Sequence, residues 1–314
     1  MTKILVTGGL GYKGSVLVPK LLNDGHSVIV ADPGWFGNYL KSHKNLTIYQ
    51  KNIINLDFSE IEDIQTAILL HSVANDPCSD LAPTLTWETA CFETEYLLRK
   101  LSKTKCNKVI YASSASVYGI REEEDIVETL EPVAVSVYNK TKVISERIVL
   151  SFAQFNPTII RPATVCGLSP RMRLDTVVNM LTVQAIKSNL ITVLGGSQYR
   201  PNVHIEDLID SYLFFISNPN ITGIFNVGND TRTVLEISNA IKSKINCKVA
   251  IKPSNDPRSY RLSSKKIIEK GFVFKRKIDD AIDEIITEYS KGNLLDEDKW
   301  YNIRWMQKNN LSEK

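Results

Sequence analysis

The stretch KILVTGGLGYKGS, residues 3–15, decides how the chain reads. A short apolar run without polar alternation opens onto Gly8, Gly11 and Gly14, spaced G-x-x-G-x-x-G, and a helical pattern follows over 13–24. Apolar strand, glycine turn and helix in that order predict a parallel α/β unit with an anion cradle. Glycines there permit a tight turn and close approach of backbone to a pyrophosphate, and the unpaired amides of the helix N-terminus face the charge.

The next apolar run, SVIVA (27–31), ends at Asp32. A carboxylate roughly 20 residues beyond the glycines accepts the adenosine ribose hydroxyls and repels a 2′-phosphate, which predicts NAD as the cofactor rather than NADP. The context ADPGW also reads as an Asp-Pro turn. Lys13 stands where an apolar residue is more usual, and its ammonium has two readings, a pyrophosphate or a 2′-phosphate.

Working outward, LTIY (46–49), AILLH (67–71), KVIYAS (108–113) and PTIIRP (157–162) read as strands, with helices over 84–103 and 136–154. The expected fold class is α/β, a doubly wound parallel (Rossmann) sheet with a smaller α/β substrate lobe. After Pro162 the rhythm changes. Helices are expected near 173–188, 205–217, 233–245, 263–270 and 278–291, with strands at 191–194, 223–228 and 248–252. Residues 1–165 form the dinucleotide domain, to which 203–228 returns; 166–202 and 229–314 form the smaller lobe. Trp300 and Trp305 in the tail pack on the body or meet a second subunit.

The bulk numbers exclude several classes. Of 314 residues 43% are apolar and 23% charged, with net charge +3 and no long basic run, so neither nucleic acid nor a membrane surface is an expected partner. No apolar run approaches the ~18 residues of a transmembrane helix. The opening is too short to be a signal peptide. Five scattered cysteines without a C-x-x-C argue against a zinc site or a disulfide framework. A soluble cytoplasmic protein without a metal is expected.

The chemistry is carried by YASSASVYG (111–119) and SVYNKTK (136–142). Strands of such sheets deliver reactive groups at their carboxyl ends. Tyr138 and Lys142, four apart, share one helix face. Tyrosine is too weak an acid, with a pKa of about 10, to serve as a base at neutral pH. An ammonium nearby stabilises the phenolate.

With TGGLGYKG, Asp32, SSASVYG, YNKTK, RPATVCG and RPNVHIEDL (200–208) in order, roughly residues 1–290 resemble an extended short-chain dehydrogenase/reductase of the nucleotide-sugar epimerase and dehydratase family. The resemblance implies Ser114, Tyr138 and Lys142 as the catalytic set, with Ser113 supporting the loop. It implies cofactor contacts from Gly8, Gly11, Tyr12, Lys13, Gly14, Asp32, Asn52, Ile53 and Lys142, the last on the nicotinamide ribose. It implies a nucleotide-diphosphate sugar as substrate, its diphosphate met by Asn179, Arg200 and Arg258, with Arg261 the alternative to Arg258. His204 is expected to be structural, and Cys166 to line the pocket wall. Family members usually dimerise through the helices near 84–103 and 136–154.

Departures from the family narrow the reaction. The 4,6-dehydratases carry Asp-Glu directly after the catalytic hydroxyl residue, where this chain has Ala115 and Ser116. Redox at one carbon, by analogy C4, remains. Ala90 stands at the usual asparagine position, which removes that residue's bracing of the active-site loops. HSVANDPCSDL (71–81) and RPATVCGLSPRMRLDTVVNMLT (161–182) resemble a subgroup that includes the GDP-D-glycero-D-manno-heptose 4-dehydrogenases of capsule polysaccharide pathways. That resemblance implies a tightly held cofactor and a 2-oxo acid as hydride acceptor. An NDP-hexose 4-epimerase is the alternative, ahead of a 4-ketoreductase or a non-catalytic cofactor-binding protein.

Overall fold

The computed structural model describes residues 2–121, 123–254 and 259–311. The chain opens with β1 (Lys3–Thr7), α1 (Gly14–Asn23), β2 (Ser27–Ala31), β3 (Leu46–Tyr49) and β4 (Thr66–Leu69). Then come α2 (Asp76–Leu81), α3 (Pro83–Trp87), α4 (Glu93–Leu101), β5 (Lys108–Ala112), the short β6 (Asp125–Ile126), α5 (Val137–Ser151) and β7 (Thr158–Pro162). The second half holds β8 (Thr164–Cys166), α6 (Val177–Ser188), β9 (Leu190–Leu194), β10 (Tyr199–His204), α7 (Ile205–Ser217) and β11 (Gly223–Val227). It ends with β12 (Asp230–Thr233), α8 (Val234–Lys242), β13 (Lys248–Lys252), β14 (Arg261–Leu262), α9 (Lys265–Glu269), α10 (Ile278–Ser290) and α11 (Asn302–Lys308).

Seven strands form the main sheet in the order β11-β7-β5-β4-β1-β2-β3, and every neighbouring pair is parallel. The absence of polar alternation in its strands has a direct cause, because both faces are covered. Ile4, Val6, Val28, Val30, Ile68 and Ile110 face a core shared with Leu17 and Val18 of α1 and Leu208 and Tyr212 of α7. Leu5, Ile29, Ala67, Leu69 and Val109 face the other core, with Leu97, Leu98 and Leu101 of α4 and Val149 of α5. The chain order reverses between β1 and β4, and at such a switch point the carboxyl ends of the strands leave a crevice.

A second body hangs over that crevice. It is built from the three-stranded sheet β12-β10-β8, the parallel pair β13-β9, and α6, α8 and α10 around a core of Leu181, Ile191, Ile237 and Ile282. The strands β8 and β12 and the tail helix α11 were not foreseen. The helix expected over 84–103 is divided, since a π-helical turn, Glu88–Phe92, separates α3 from α4. The helix expected from 173 begins at Val177, and 171–175 is a loop. All five cysteines are buried and unpaired. Among the described residues no helix is long and apolar enough to cross a membrane.

Candidate active site

The crevice is a cleft of about 470 Å³. One wall is the glycine turn after β1, with Asp32 at the end of β2. Another carries Ser113, Ser114, Tyr138 and Lys142. The overhanging body contributes Arg171, Arg173, Asp175, Thr176 and Arg200.

The cradle fits a dinucleotide. A Cβ on Gly14 would lie 2.4 Å from the carbonyl oxygen of Gly9, so only glycine lets the first helix pack against the turn. A Cβ on Gly11 would meet only the Gly8 oxygen, at 3.4 Å; a side chain there would instead project into the cleft it lines. Packing does not require glycine at that position, whereas close approach of a phosphate does. The Asp32 carboxylate is held by the amides of Leu10 at 3.0 Å and Gly34 at 2.7 Å, so it serves the Asp-Pro turn while lining the cleft. Burial raises its pKa, and the two amides and Arg171 oppose that.

At the other end β5 runs into Ser113 and Ser114. Ser114 Oγ lies 2.8 Å from Ser116 Oγ, which donates to Asn139 Oδ1 at 2.8 Å. Ser136 caps α5 through the Asn139 amide, and its hydroxyl donates to Asp76 at 2.5 Å. The Tyr138 amide donates to Ser79 Oγ at 3.1 Å. These bonds fix the first turn of α5 and place the Tyr138 phenol beside Ser114 on the cleft wall. One turn on, Lys142 Nζ donates to the Ala112 carbonyl at 2.8 Å, 5.8 Å from the Tyr138 ring centroid.

The electrostatics differ from the sequence expectation. Burial raises the Tyr138 pKa, and the influences that oppose it are Ser114 and the Arg173 guanidinium. Lys142 itself is lowered to about 7, first by burial and then by Lys13. Lys13 is lowered to about 8, by burial and by Arg173. Lys13 lines the cleft and depresses Lys142, while Arg171 is the cation that acts to lower Asp32. Among the described residues no carboxylate pairs with Lys13. Asp175, which lines the same cleft, takes Arg173 Nε at 2.8 Å.

Beneath the catalytic loop lies a second set of charges. Glu146 accepts a fork from Arg161, Nε at 2.9 Å and Nη2 at 2.6 Å, and also accepts from the Ser113 hydroxyl. Arg161 Nη1 donates to Tyr118 Oη at 2.8 Å, which donates to Asn226 at 2.8 Å. Ser113 thus braces the loop, as expected. At Ala90 the π-helical turn offers its carbonyl to Ser145 Oγ at 2.7 Å, which ties the turn to α5. Such turns recur at functional sites.

Several expected contacts are placed elsewhere. Asn179 is wholly buried and turned inward. Its Oδ1 accepts from the Gly167 amide at 3.0 Å, and its Nδ2 donates to the Arg173 carbonyl at 2.9 Å and to Tyr12 Oη at 3.2 Å. It fastens the cleft wall and does not face a diphosphate. Tyr12 lines the cleft, but its hydroxyl is spent on the Gly167 carbonyl at 2.7 Å. Asn52 lines the cleft, whereas Ile53 is buried in the core behind it. Cys166 packs in the core of the second body instead of lining the cleft. His204 caps α7 through the Glu206 amide and is structural. Arg200 lines the cleft, while Arg261 is tied to Glu124 at 2.8 Å and Tyr199 at 3.0 Å outside it. Arg258 lies outside the described residues. Arg171, Arg173 and Asp175 escaped the sequence reading; the alternating Arg-x-Arg-x-Asp of 171–175 was their signal, masked by the expectation of a helix from 173.

A doubly wound sheet with a glycine cradle, and a serine, tyrosine and lysine across the crevice, defines a short-chain dehydrogenase/reductase of the extended type. Residues 4–228 match the NAD dependent epimerase/dehydratase family, and the chain belongs to that family. Its cofactor is NAD, which the cradle and Asp32 fit. Among curated relatives, UDP-glucuronic acid decarboxylase 1 of Danio rerio is 29% identical over 258 residues, covering 77% of this chain but only 60% of that protein's length. UDP-glucuronic acid decarboxylase 3 of Arabidopsis thaliana is 28% identical over 275 residues, covering 82% of this chain and 79% of that protein. Of solved structures, a UDP-glucose 4-epimerase of Thermotoga maritima with UDP-glucose superposes with a TM-score of 0.83 at 24% identity, over 93% of this chain and 99% of that one. A UDP-glucuronic acid 4-epimerase of Bacillus cereus with UDP-glucuronic acid and NAD gives 0.80 at 23%, over 92% and 100%. These structures share the fold.

Proposed function

We propose that the chain is an NAD-dependent nucleotide-sugar oxidoreductase acting at sugar C4, with Ser114, Tyr138 and Lys142 as its catalytic set. The observation that carries this reading is the convergence of Ser114, Tyr138 and Lys142 on the same cleft that the glycine cradle lines. Ser114 holds the oxygen of the sugar hydroxyl, and Tyr138, as phenolate, removes its proton. The Arg173 charge favours that phenolate, and Lys142 holds the ribose beside it. When bound, NAD supplies the hydride acceptor for the carbon bearing that hydroxyl. Arg200, with Arg258, is assigned to the diphosphate, since an arginine fork suits phosphate oxygens. Phe92 and Ile144, both exposed near α4 and on α5, support a homodimer through that face.

The fate of the 4-ketone separates the finer readings. Release, with a 2-oxo acid taking the hydride back, is the GDP-heptose 4-dehydrogenase reading; the loops 71–81 and 161–182 support it. Reduction from the other face is the 4-epimerase reading, supported by the fold neighbours. A C5 carboxylate lies β to a C4 ketone and can leave as CO₂, the reaction the curated relatives are named for. No carboxylate stands directly after Ser114, which speaks against 4,6-dehydration. Incubation with GDP-heptose, GDP- and UDP-hexoses and UDP-glucuronate, each with and without a 2-oxo acid, distinguishes them. A ketone that requires the oxo acid supports the dehydrogenase, inversion without it the epimerase, and CO₂ the decarboxylase. Tyr138→Phe is expected to lower turnover by about 10²–10⁴ while NAD binding persists. Full turnover in that variant would refute the mechanism.

A further inference from the structure

We infer that the carboxyl-terminal segment, Trp300 to Leu311, is part of the cofactor site and retains the adenosine-diphosphate half of the dinucleotide. The inference rests on the dinucleotide reading of the cleft. The segment lies beyond the residues that match the family, 4–228. It crosses from the second body onto the cofactor side of the first. Trp305 Nε1 donates to the Trp35 carbonyl at 2.6 Å, in the loop that follows Asp32. Met306 is buried against Val73, Cys78 and Ala82. The Trp300 ring meets Tyr39 with centroids 5.6 Å apart.

Asn302 is the residue through which this segment enters the cleft. Its Oδ1 accepts from Arg171 Nη2 at 2.6 Å, and its amide donates to Asp175 Oδ2 at 3.2 Å. Asp175 also takes Arg173 at 2.8 Å and Asn75 Nδ2 at 3.2 Å. One carboxylate therefore ties the loop after β4, the 171–175 loop and the tail together at the rim.

Arg171 shows what the arrangement is for. Its side chain is 2% exposed, lines the cleft, and lies 4.0 Å over the Phe36 ring. Asn302 and the Met172 carbonyl, the latter at 3.3 Å, take two of its nitrogens. Nε has no hydrogen-bond partner among the described residues. A buried guanidinium donor without an acceptor is costly, and a phosphate or ribose oxygen relieves that cost. Asn302 aims this guanidinium into the cleft near Asp32. With a dinucleotide beneath, departure requires the Asn302–Arg171 and Trp305–Trp35 bonds to part.

The test is the release rate of NADH, loaded on the full chain and followed by nicotinamide fluorescence after a chase with excess NAD. Asn302→Ala is expected to speed release about tenfold and Trp305→Phe severalfold. Asn302→Gln keeps a neutral carbonyl acceptor for Arg171 and is expected to release more slowly than Asn302→Ala. Melting temperatures of the cofactor-free proteins are measured beside them. Unchanged release in Asn302→Ala and Trp305→Phe overturns the inference, whether or not melting falls. So does a faster release that Asn302→Gln fails to lessen. Wild-type protein that binds no NADH overturns the dinucleotide reading along with it.

Discussion

Two sets of charge, one buried under the catalytic loop and one partly buried in the cleft, are built on opposite plans. Under the catalytic loop, Glu146 and Arg161 close on one another in a fork, and Ser113, Tyr118 and Asn226 satisfy what remains. In the cleft above, Lys13, Lys142 and Arg173 converge, and among the described residues the only carboxylate bonded to any of them is Asp175, on Arg173. Burial opposes the Arg161 charge, yet the Glu146 bonds outweigh it and hold that arginine above its ordinary pKa. Burial and mutual repulsion depress both lysines instead. The closed set fixes the loop that carries Ser114. The open set is costly in the protein alone and becomes favourable when an anion enters, which is the signature of a binding surface.

Breaking the closed set is expected to have the largest effect on stability. Glu146→Gln leaves a buried guanidinium without its counter-charge and should cost about 3–5 kcal/mol in denaturant titrations. Replacing Glu146 and Arg161 together by Met and Leu should recover most of that loss. If the single variant matches wild type, the two sets do not differ as described.

Breaking the open set should act on binding. Lys13→Met is expected to weaken NADH affinity about tenfold, the scale of one charge-assisted hydrogen bond, and to make binding less sensitive to salt. It should also raise the Lys142 pKa, because a repelling neighbour has gone.

The pH dependence sharpens the contrast. Lys142 and Lys13 titrate near 7 and 8 in the folded protein, below the 10.5 of a free lysine. Between these values the unfolded chain binds more protons, so stability of the cofactor-free protein should rise as pH climbs from about 7 towards 10.5. Anion binding runs the other way, since it needs the ammonium forms. NADH affinity should fall from pH 7 to 9 in the wild type, and less steeply in Lys13→Met. The smallest effect is expected at the exposed helical pair of Glu95 and Arg99, 2.6 Å apart. Glu95→Gln should be indistinguishable from wild type in denaturant titrations, because water screens what burial would amplify.

The sequence made the main sheet and the cradle readable because their causes are local. Unbroken apolar runs such as SVIVA demand cover on both faces, and glycine spacing is a backbone requirement. The meeting of Ser114 with Tyr138 was legible too, through ordered motifs. What stayed hidden depends on side-chain direction and on distant partners. Asn179 carries the right chemistry for phosphate, but the Gly167 and Arg173 backbones claim its amide. Arg173 adds a cation near Tyr138 beside the expected Lys142, and only the fold of the 171–175 loop brings it there. The π-helical turn at 88–92 leaves no mark on periodicity over so short a span. The tail's role depends on a bond between residues 35 and 305, which no local pattern encodes.

The five unpaired cysteines, all under cover, give the molecule an internal clock. Thiolate is the reactive form, and burial pushes Cys78 and Cys106 up to about 12. Alkylating reagents should therefore modify the folded chain only as fast as it opens. Cys78 sits under the carboxyl-terminal segment beside Met306, whereas Cys106 lies in the core behind the main sheet. Comparing the order in which these two are labelled would time the peeling of the tail against the collapse of the whole.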